Sequence, residues 1–150
     1  MKLISLSQGK YAKIDDEDFE RVNKYKWYYS KKHGAMIRRE PRGISWMMHR
    51  FILNAPKHLE VDHKNGDNID NRRENIRLCT HADNMRNRKV GKNVSGYKGV
   101  RNNHGKWQAY INFNNKFIYL GNFYDKKEAA RKYNEAAKVY FGEFARLNTV

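Results

Sequence analysis

Four polar residues stand out by type and spacing: Asp62, His63, Asn75 and Asn84. A carboxylate and an imidazole sit side by side at the end of a short apolar run, Leu59 and Val61. An asparagine follows His63 by twelve positions, and a second follows that one by nine. Phosphodiester hydrolysis needs such groups. A water must lose a proton as it attacks, negative charge builds on the phosphate, and the departing sugar oxygen must be stabilised. A neutral imidazole suits the first task. A hard cation held by few protein oxygens suits the other two, because its remaining positions are left for phosphate and water.

The flanking residues say which elements must hold these side chains. Two short apolar segments, 59–63 and 76–79, read as strands separated by a polar turn over 64–71. Asn65, Asp67, Asn68 and Asp70 suit that turn for conformational reasons alone. Thr80 followed by Asp83 is an aspartate form of the capping box, so a helix begins there and carries Asn84 on its first turns.

The ordered set of an Asp-His doublet, an Asn-Gly-Asp turn, the run Asn-Arg-Arg-Glu-Asn-Ile-Arg and the tail Asn-Met-Arg-Asn resembles the HNH nuclease motif. The form is the His-Asn-Asn one of phage and intron homing endonucleases. The resemblance implies a ββα-metal (His-Me finger) unit in which His63 is the general base. Asp62 and the amide oxygen of Asn84 would bind one divalent ion, Mg2+ or Mn2+, and Asn75 would brace the turn so that the imidazole stays oriented. The products it implies are a 5′-phosphate and a 3′-hydroxyl.

Composition narrows the partner class. Thirty-one Lys and Arg against 16 Asp and Glu give a net charge of +15 over 150 residues, which points to a polyanion, foremost double-stranded DNA. An anionic membrane surface is the competing partner, but there is no long apolar segment and no one-sided basic amphipathic helix. The start, MKLISLSQGKY, is too short and too broken by Ser for a signal peptide, so the expectation is a protein that is not secreted and acts in the cytoplasm, or at the host nucleoid if phage-encoded. Cys79 is the only cysteine. That excludes an intrachain disulfide and a structural zinc site built from cysteine pairs, and it leaves Cys79 as a small core residue.

Upstream of the motif, residues 2–14 read as one or two strands with a turn near Gln8-Gly9, and residues 15–24 as a short helix with an acidic first turn. Trp27, Tyr28 and Tyr29 would pair with Met36 and Ile37 around a tip at 31–34, bringing aromatics beside Arg38, Arg39 and Arg42. Trp27 and Trp46 are assigned to the core. Residues 45–53 look like a helix N-capped by Ser45. His49 within it has a packing or hydrogen-bonding role, and His33, His58, His81 and His104 have no better assignment than that.

No acidic residue occurs between Asp83 and Asp125. Residues 89–95 read as a basic linker. Beyond it, strands over 97–101, 106–113 and 116–120, with an Asn114-Asn115 hairpin turn, precede a helix from Asp125 to a stop at Gly142. Trp107, Ala109, Ile111 and Phe113 share one face of the middle strand, and Gln108, Tyr110 and Asn112 the other. Ser-Gly-Tyr-Lys-Gly-Val-Arg, Gly-Lys-Trp-Gln-Ala-Tyr-Ile, Tyr-Leu-Gly-Asn-Phe and Glu-Ala-Ala-Arg-Lys-Tyr-Asn-Glu-Ala-Ala resemble the APETALA-two, or ethylene-response-factor, DNA-binding domain. That family lays a three-stranded sheet in the major groove. Tyr110 and Asn112 stand where charged residues are usual, which leaves the preferred base sequence open.

The combined reading is an α+β chain. Residues 1–88 carry the nuclease motif (core 45–88), 89–95 link, and 96–150 form a small three-stranded antiparallel sheet packed on one helix. The residues expected to meet DNA are Arg72, Arg73, Arg77, Arg86, Arg88, Lys89, Lys92, Lys98, Arg101, Lys106, Tyr110, Asn112 and Tyr119. The expected activity is that of a site-preferring, metal-dependent homing-type endonuclease, a monomer that nicks without an obligate protein partner. A DNA-binding regulator with a decayed nuclease fold, and an RNA binder, are the alternatives.

Overall fold

The computed structural model describes residues 1–30, the backbone of 36–39, and residues 45–91 and 93–150. The chain falls into two compact units, Met1–Asn84 and Met85–Val150. The expected hairpin tip at 31–34, Arg42 and Lys92 lie outside the described residues, as do the side chains of Arg38 and Arg39.

The N-terminal unit starts with an antiparallel hairpin, β1 (Lys2–Ser5) and β2 (Tyr11–Ile14), turning through a 3-10 segment at Ser7–Gly9. Helix α1 (Asp16–Val22) follows, with Asp16, Glu17 and Asp18 in its first turn, where the helix dipole favours negative charge. Strands β3 (Trp27–Tyr29), β4 (Met36–Arg39) and β5 (Ser45–Met47) form a second antiparallel sheet in that order. The expected helix start at Ser45 is corrected here. Residues 45–47 pair with β4, so their backbone groups serve a sheet, and helix α2 (Met48–Leu53) begins after Met47 without a side-chain cap. Trp46 is 44% exposed and packs edge-on against Phe51, so of the two tryptophans only Trp27 is in the core.

Strands β6 (Glu60–His63) and β7 (Ile76–Cys79) form the next hairpin, and helix α3 (His81–Asn87) follows. Thr80 and Asp83 cap it reciprocally: the Asp83 N–H donates to Thr80 Oγ1 at 3.2 Å, and the Thr80 N–H donates to Asp83 Oδ2 at 3.3 Å. One core unites these pieces. Ile4, Ala12, Ile14, Val22, Trp27, Met48, Ile52, Val61 and Ile76 are all buried in it, so the β6–β7 hairpin is anchored by residues far upstream.

The C-terminal unit is an antiparallel sheet in the order β10 (Lys116–Phe123), β9 (Lys106–Phe113), β8 (Val100–Asn103), covered by helix α4 (Lys126–Phe141). Asn114 and Asn115 both have positive φ, 50° and 60°, as a two-residue type I′ turn requires. Strand β8 starts three residues later than expected, because Ser95, 3% exposed, bonds the carbonyls of Tyr97 and Val100 and holds the segment before it as a turn. Ala109 of β9 meets Ala129 and Ala130 of α4, all fully buried, and this lets helix and sheet approach closely. Gly99 is dictated by the packing: its φ is +70°, and a Cβ there would lie 1.9 Å from the ring of Tyr133.

Candidate active site and nucleic-acid interface

His63 is the last residue of β6, paired with Ile76, and Asp62 lies opposite Arg77 in the same register. Burial holds the His63 imidazole below its ordinary pKa range, against opposing contributions from the Asn71 hydrogen bond and from Asp62, Asp67 and Asp70. The ring is therefore neutral near pH 7, the state a general base needs. Its Nε2 lies 3.0 Å from Oδ1 of Asn71, a side chain with no solvent exposure. The ring of His49 stands edge-on to it, with centroids 5.0 Å apart at 87°. His49 is 6% exposed, its Nδ1 is buried with no hydrogen-bond partner among the described residues, and burial pushes its pKa down to about 3.

Asn75 spans the turn. Its Nδ2 donates to the Asp70 carbonyl at 2.7 Å, and its Oδ1 accepts from the Asn65 N–H at 3.0 Å. Asx bonds from Asn65 and Asp67 shape the residues between, as their types predict. A side chain that contacts His63 is Asn71, which sequence reasoning passed over because asparagine in such a turn is unremarkable.

Asp62 is 5% exposed and its Oδ2 accepts from Arg77 Nε and Nη2 at 3.0 and 2.8 Å. Asn84, on the first turns of α3, donates its Nδ2 to Glu60 Oε2 at 2.6 Å. Glu60 and Asp62 are two apart on β6 and so share a face. Asn84 is thereby held one strand step from Asp62, with its donor end committed to Glu60. Hydrogen bonds from Asn84 and His81 hold the Glu60 carboxyl below its usual range. The alternation that puts Glu60 beside Asp62 was visible in the sequence, but its bond to α3 was not. Asp62 and Asn84 offer only hard oxygen donors, one of them charged. This fits a divalent ion of the magnesium or manganese class that keeps most of its positions for water and phosphate. Among the described residues no group of three or more His, Cys, Asp and Glu could hold a metal.

Three arginines expected on DNA are committed elsewhere. Arg72 donates to both oxygens of Asp70 at 2.8 and 2.7 Å and also pairs with Glu74. Arg73 forks onto Asp18 of α1 at 2.8 and 2.9 Å and also pairs with Glu17. Arg77 holds Asp62, with both side chains almost fully covered. Their charge is neutralised within the fold, so they brace the turn and the hairpin.

In the C-terminal unit the expected face of the sheet is assembled. Arg101 of β8 donates to Gln108 of β9 at 2.7 Å, and its guanidinium lies 5.3 Å from the ring centroids of both Tyr110 and Phe117. Those two rings stack at 5.3 Å and 21°. Asn112 and Tyr119 are exposed on the same face, and Lys106 lies over Tyr124. Phe117 was missed, although the Asn-Asn turn fixes the register that pairs it with Asn112. Trp107 lies on the helix side, as alternation requires. Lys98 is placed differently from expectation: its Nζ donates to the carbonyls of Arg86 and Arg88, capping the end of α3. Arg86 lies over the rings of Phe113 and Phe141, at 5.4 and 5.2 Å, while Arg88 and Lys89 are exposed.

The family profile described as HNH endonuclease matches residues 54–86, which contain Asp62, His63, Asn71, Asn75 and Asn84. An uncharacterized HNH endonuclease of Acanthamoeba polyphaga mimivirus is 28% identical over 99% of this chain and 80% of its own length. The C-terminal part is similar to two Arabidopsis thaliana proteins. The ethylene-responsive transcription factor WRI1 is 44% identical over 37% of this chain and 14% of that factor. An AP2-like ethylene-responsive transcription factor is 45% identical over 33% of this chain and 15% of its own length. With Asp62, His63, Asn75 and the capped helix already in one small hairpin, these matches make residues 54–86 similar to HNH endonucleases and the C-terminal end similar to AP2-like DNA-binding regions, and together they support a DNA-hydrolysing enzyme.

Proposed function

We propose that this protein is a site-preferring, divalent-metal-dependent endonuclease of the homing type that leaves 5′-phosphate and 3′-hydroxyl ends and nicks duplex DNA as a monomer. The observation that carries the reading is His63: half-buried, neutral near pH 7, and fixed at the end of β6 beside the carboxylate of Asp62. His63 takes the proton of the attacking water. Asp62 and the carbonyl oxygen of Asn84 would hold a Mg2+ or Mn2+ ion, which when bound would supply charge stabilisation at the phosphate and the leaving oxygen. Arg77 orients the Asp62 carboxylate, and Asn75 holds the 64–71 turn closed beneath the base. Residues 1–88 carry the cut. Residues 96–150 add affinity and register through Arg101, Lys106, Tyr110, Asn112 and Tyr119, and Arg86, Arg88, Lys89 and Lys92 contribute phosphate contacts on the way. Each phosphate so neutralised lowers log K by about 0.9 per decade of salt.

Among the described residues no helix is long and apolar enough to cross a membrane. With a viral relative, we place the enzyme in the cytoplasm of the host cell, and as a mobile element's enzyme if phage-encoded. The test is incubation with supercoiled plasmid and with source-genome DNA, with magnesium or with EDTA, beside His63→Ala. Metal-dependent nicked product that is lost in His63→Ala, with binding retained, is expected. Full cleavage by His63→Ala refutes the site. A salt-sensitive gel shift without cleavage of any source-genome DNA favours a DNA-binding regulator.

A further inference from the structure

The matched family segment begins at residue 54, yet the cradle around the His63 imidazole draws on residues outside it. The carboxamide of Asn71 is fully buried, with Oδ1 3.0 Å from His63 Nε2 and Nδ2 donating to Met48 Sδ at 3.5 Å. A thioether sulfur accepts weakly and has no hydrogen to give, so the amide nitrogen belongs on Met48 and the oxygen on the imidazole. An amide oxygen can only accept, which obliges His63 Nε2 to carry the proton. A neutral imidazole has one N–H, and Nδ1 is then the basic nitrogen.

Backbone bonds fix Asn71 in place. Its N–H donates to the Lys13 carbonyl at 2.8 Å, the Lys13 N–H donates to Ile69 O at 2.8 Å, and Lys13 forms a parallel bridge with Asp70. The turn is thus an added edge on β2 of the N-terminal hairpin. Met48 and His49, at the start of α2, close the other side, His49 presenting a buried neutral ring edge-on.

We propose that Asn71 is a positioning residue that sets the tautomer of His63: Nε2–H is donated to Asn71, and Nδ1 takes the proton of the attacking water. The proposal rests on the reading of His63 as the base. In the first step the water O–H bond breaks, its proton goes to Nδ1, and the oxygen forms the new bond to phosphorus as the sugar oxygen departs.

The tautomer can be read without any DNA. Long-range 1H–15N spectra of histidine-labelled full-length protein near pH 7, assigned with His63→Gln, should show a protonated Nε2 and a bare Nδ1 at His63. An Nδ1–H tautomer overturns the proposal. Asn71→Leu, similar in size but with no acceptor, should lose the Nε2–H preference and lower kcat on supercoiled plasmid roughly 10–100-fold, the order lost when a partner that orients a functional imidazole is removed, with KM little changed. Asn71→Asp, which keeps the acceptor, should retain the tautomer. If Asn71→Leu does not fold, the wild-type spectrum and Asn71→Asp decide. An unchanged tautomer in folded Asn71→Leu refutes the role of Asn71 while leaving the base assignment standing. Full cleavage by His63→Ala refutes the base assignment, and with it Nδ1 as proton acceptor, while leaving the measured tautomer standing.

Discussion

Replacing Asn75 with alanine separates bracing from chemistry. Asn75 is 6% exposed, and its side chain makes one buried bond to the Asp70 carbonyl at 2.7 Å and one to the Asn65 N–H at 3.0 Å. Alanine removes both. Leaving the Asp70 carbonyl buried without that donor costs about 1–3 kcal/mol, and losing the second bond costs about 1 kcal/mol net. The total, about 2–4 kcal/mol, is a large part of the roughly 5–15 kcal/mol that holds a domain folded. The loss is concentrated in the 64–75 turn, so it should first be seen as local opening. At about 1.4 kcal/mol per tenfold, the Asn65 amide should exchange with solvent roughly 30- to 1000-fold faster than in the wild type. Hydrogen exchange by NMR reads this directly, urea unfolding gives the global share, and plasmid nicking should fall in parallel. If Asn75→Ala stops cleavage while Asn65 exchange and urea stability stay unchanged, Asn75 acts on the substrate and the bracing argument is wrong.

Three further outcomes are expected. Gly99→Ala should destabilise the C-terminal unit by about 2–5 kcal/mol, from the left-handed backbone and from a clash with Tyr133 and the Tyr110 carbonyl, seen as an earlier urea transition by circular dichroism. Burial, with Arg146 nearby, pulls the Lys98 pKa from 10.5 to about 8. Between those values the unfolded chain binds the extra proton, so stability should rise with pH across that window, and urea midpoints of Lys98→Met should lack the rise. Cys79 is 4% exposed and burial pushes its thiol up to about 11. It should resist a thiol reagent at about pH 8 in the native chain and react once denatured; rapid native labelling would mean that the β6–β7 hairpin opens readily.

What could be read along the chain was whatever depends on near neighbours or on residue types with few other uses. The Thr80–Asp83 cap, the Asn114–Asn115 turn and the alternating faces of β9 are local, and each formed as its residues imply. Asp62, His63, Asn75 and Asn84 stood out because a turn alone does not explain all four at that spacing, and the fold sets Asp62 and His63 at the end of β6 with Asn75 across the turn. Arg72, Arg73 and Arg77 looked like DNA contacts because charge read in one dimension has no partner. Asp18 lies 55 residues from Arg73, and Asp62 lies 15 from Arg77 on the adjacent strand. Ser45 read as a cap because its pairing with β4 is a tertiary fact. Asn71 was invisible for the same reason: its neighbours Met48 and Lys13 are brought to it only by the closed fold.

The parallel bridge between Lys13 and Asp70 also bears on when the site becomes complete. Strand β2 leaves the ribosome well before the turn it must receive, and a closure of that span is slow compared with forming a hairpin or a helix. Until it is made, the imidazole is already in the chain but its amide partner is not held against it. A nascent chain, a fragment lacking the first hairpin or a molecule warmed enough to open that bridge would carry every residue of the motif and cut poorly. The Asn71 contact to His63 therefore arrives only with the finished fold.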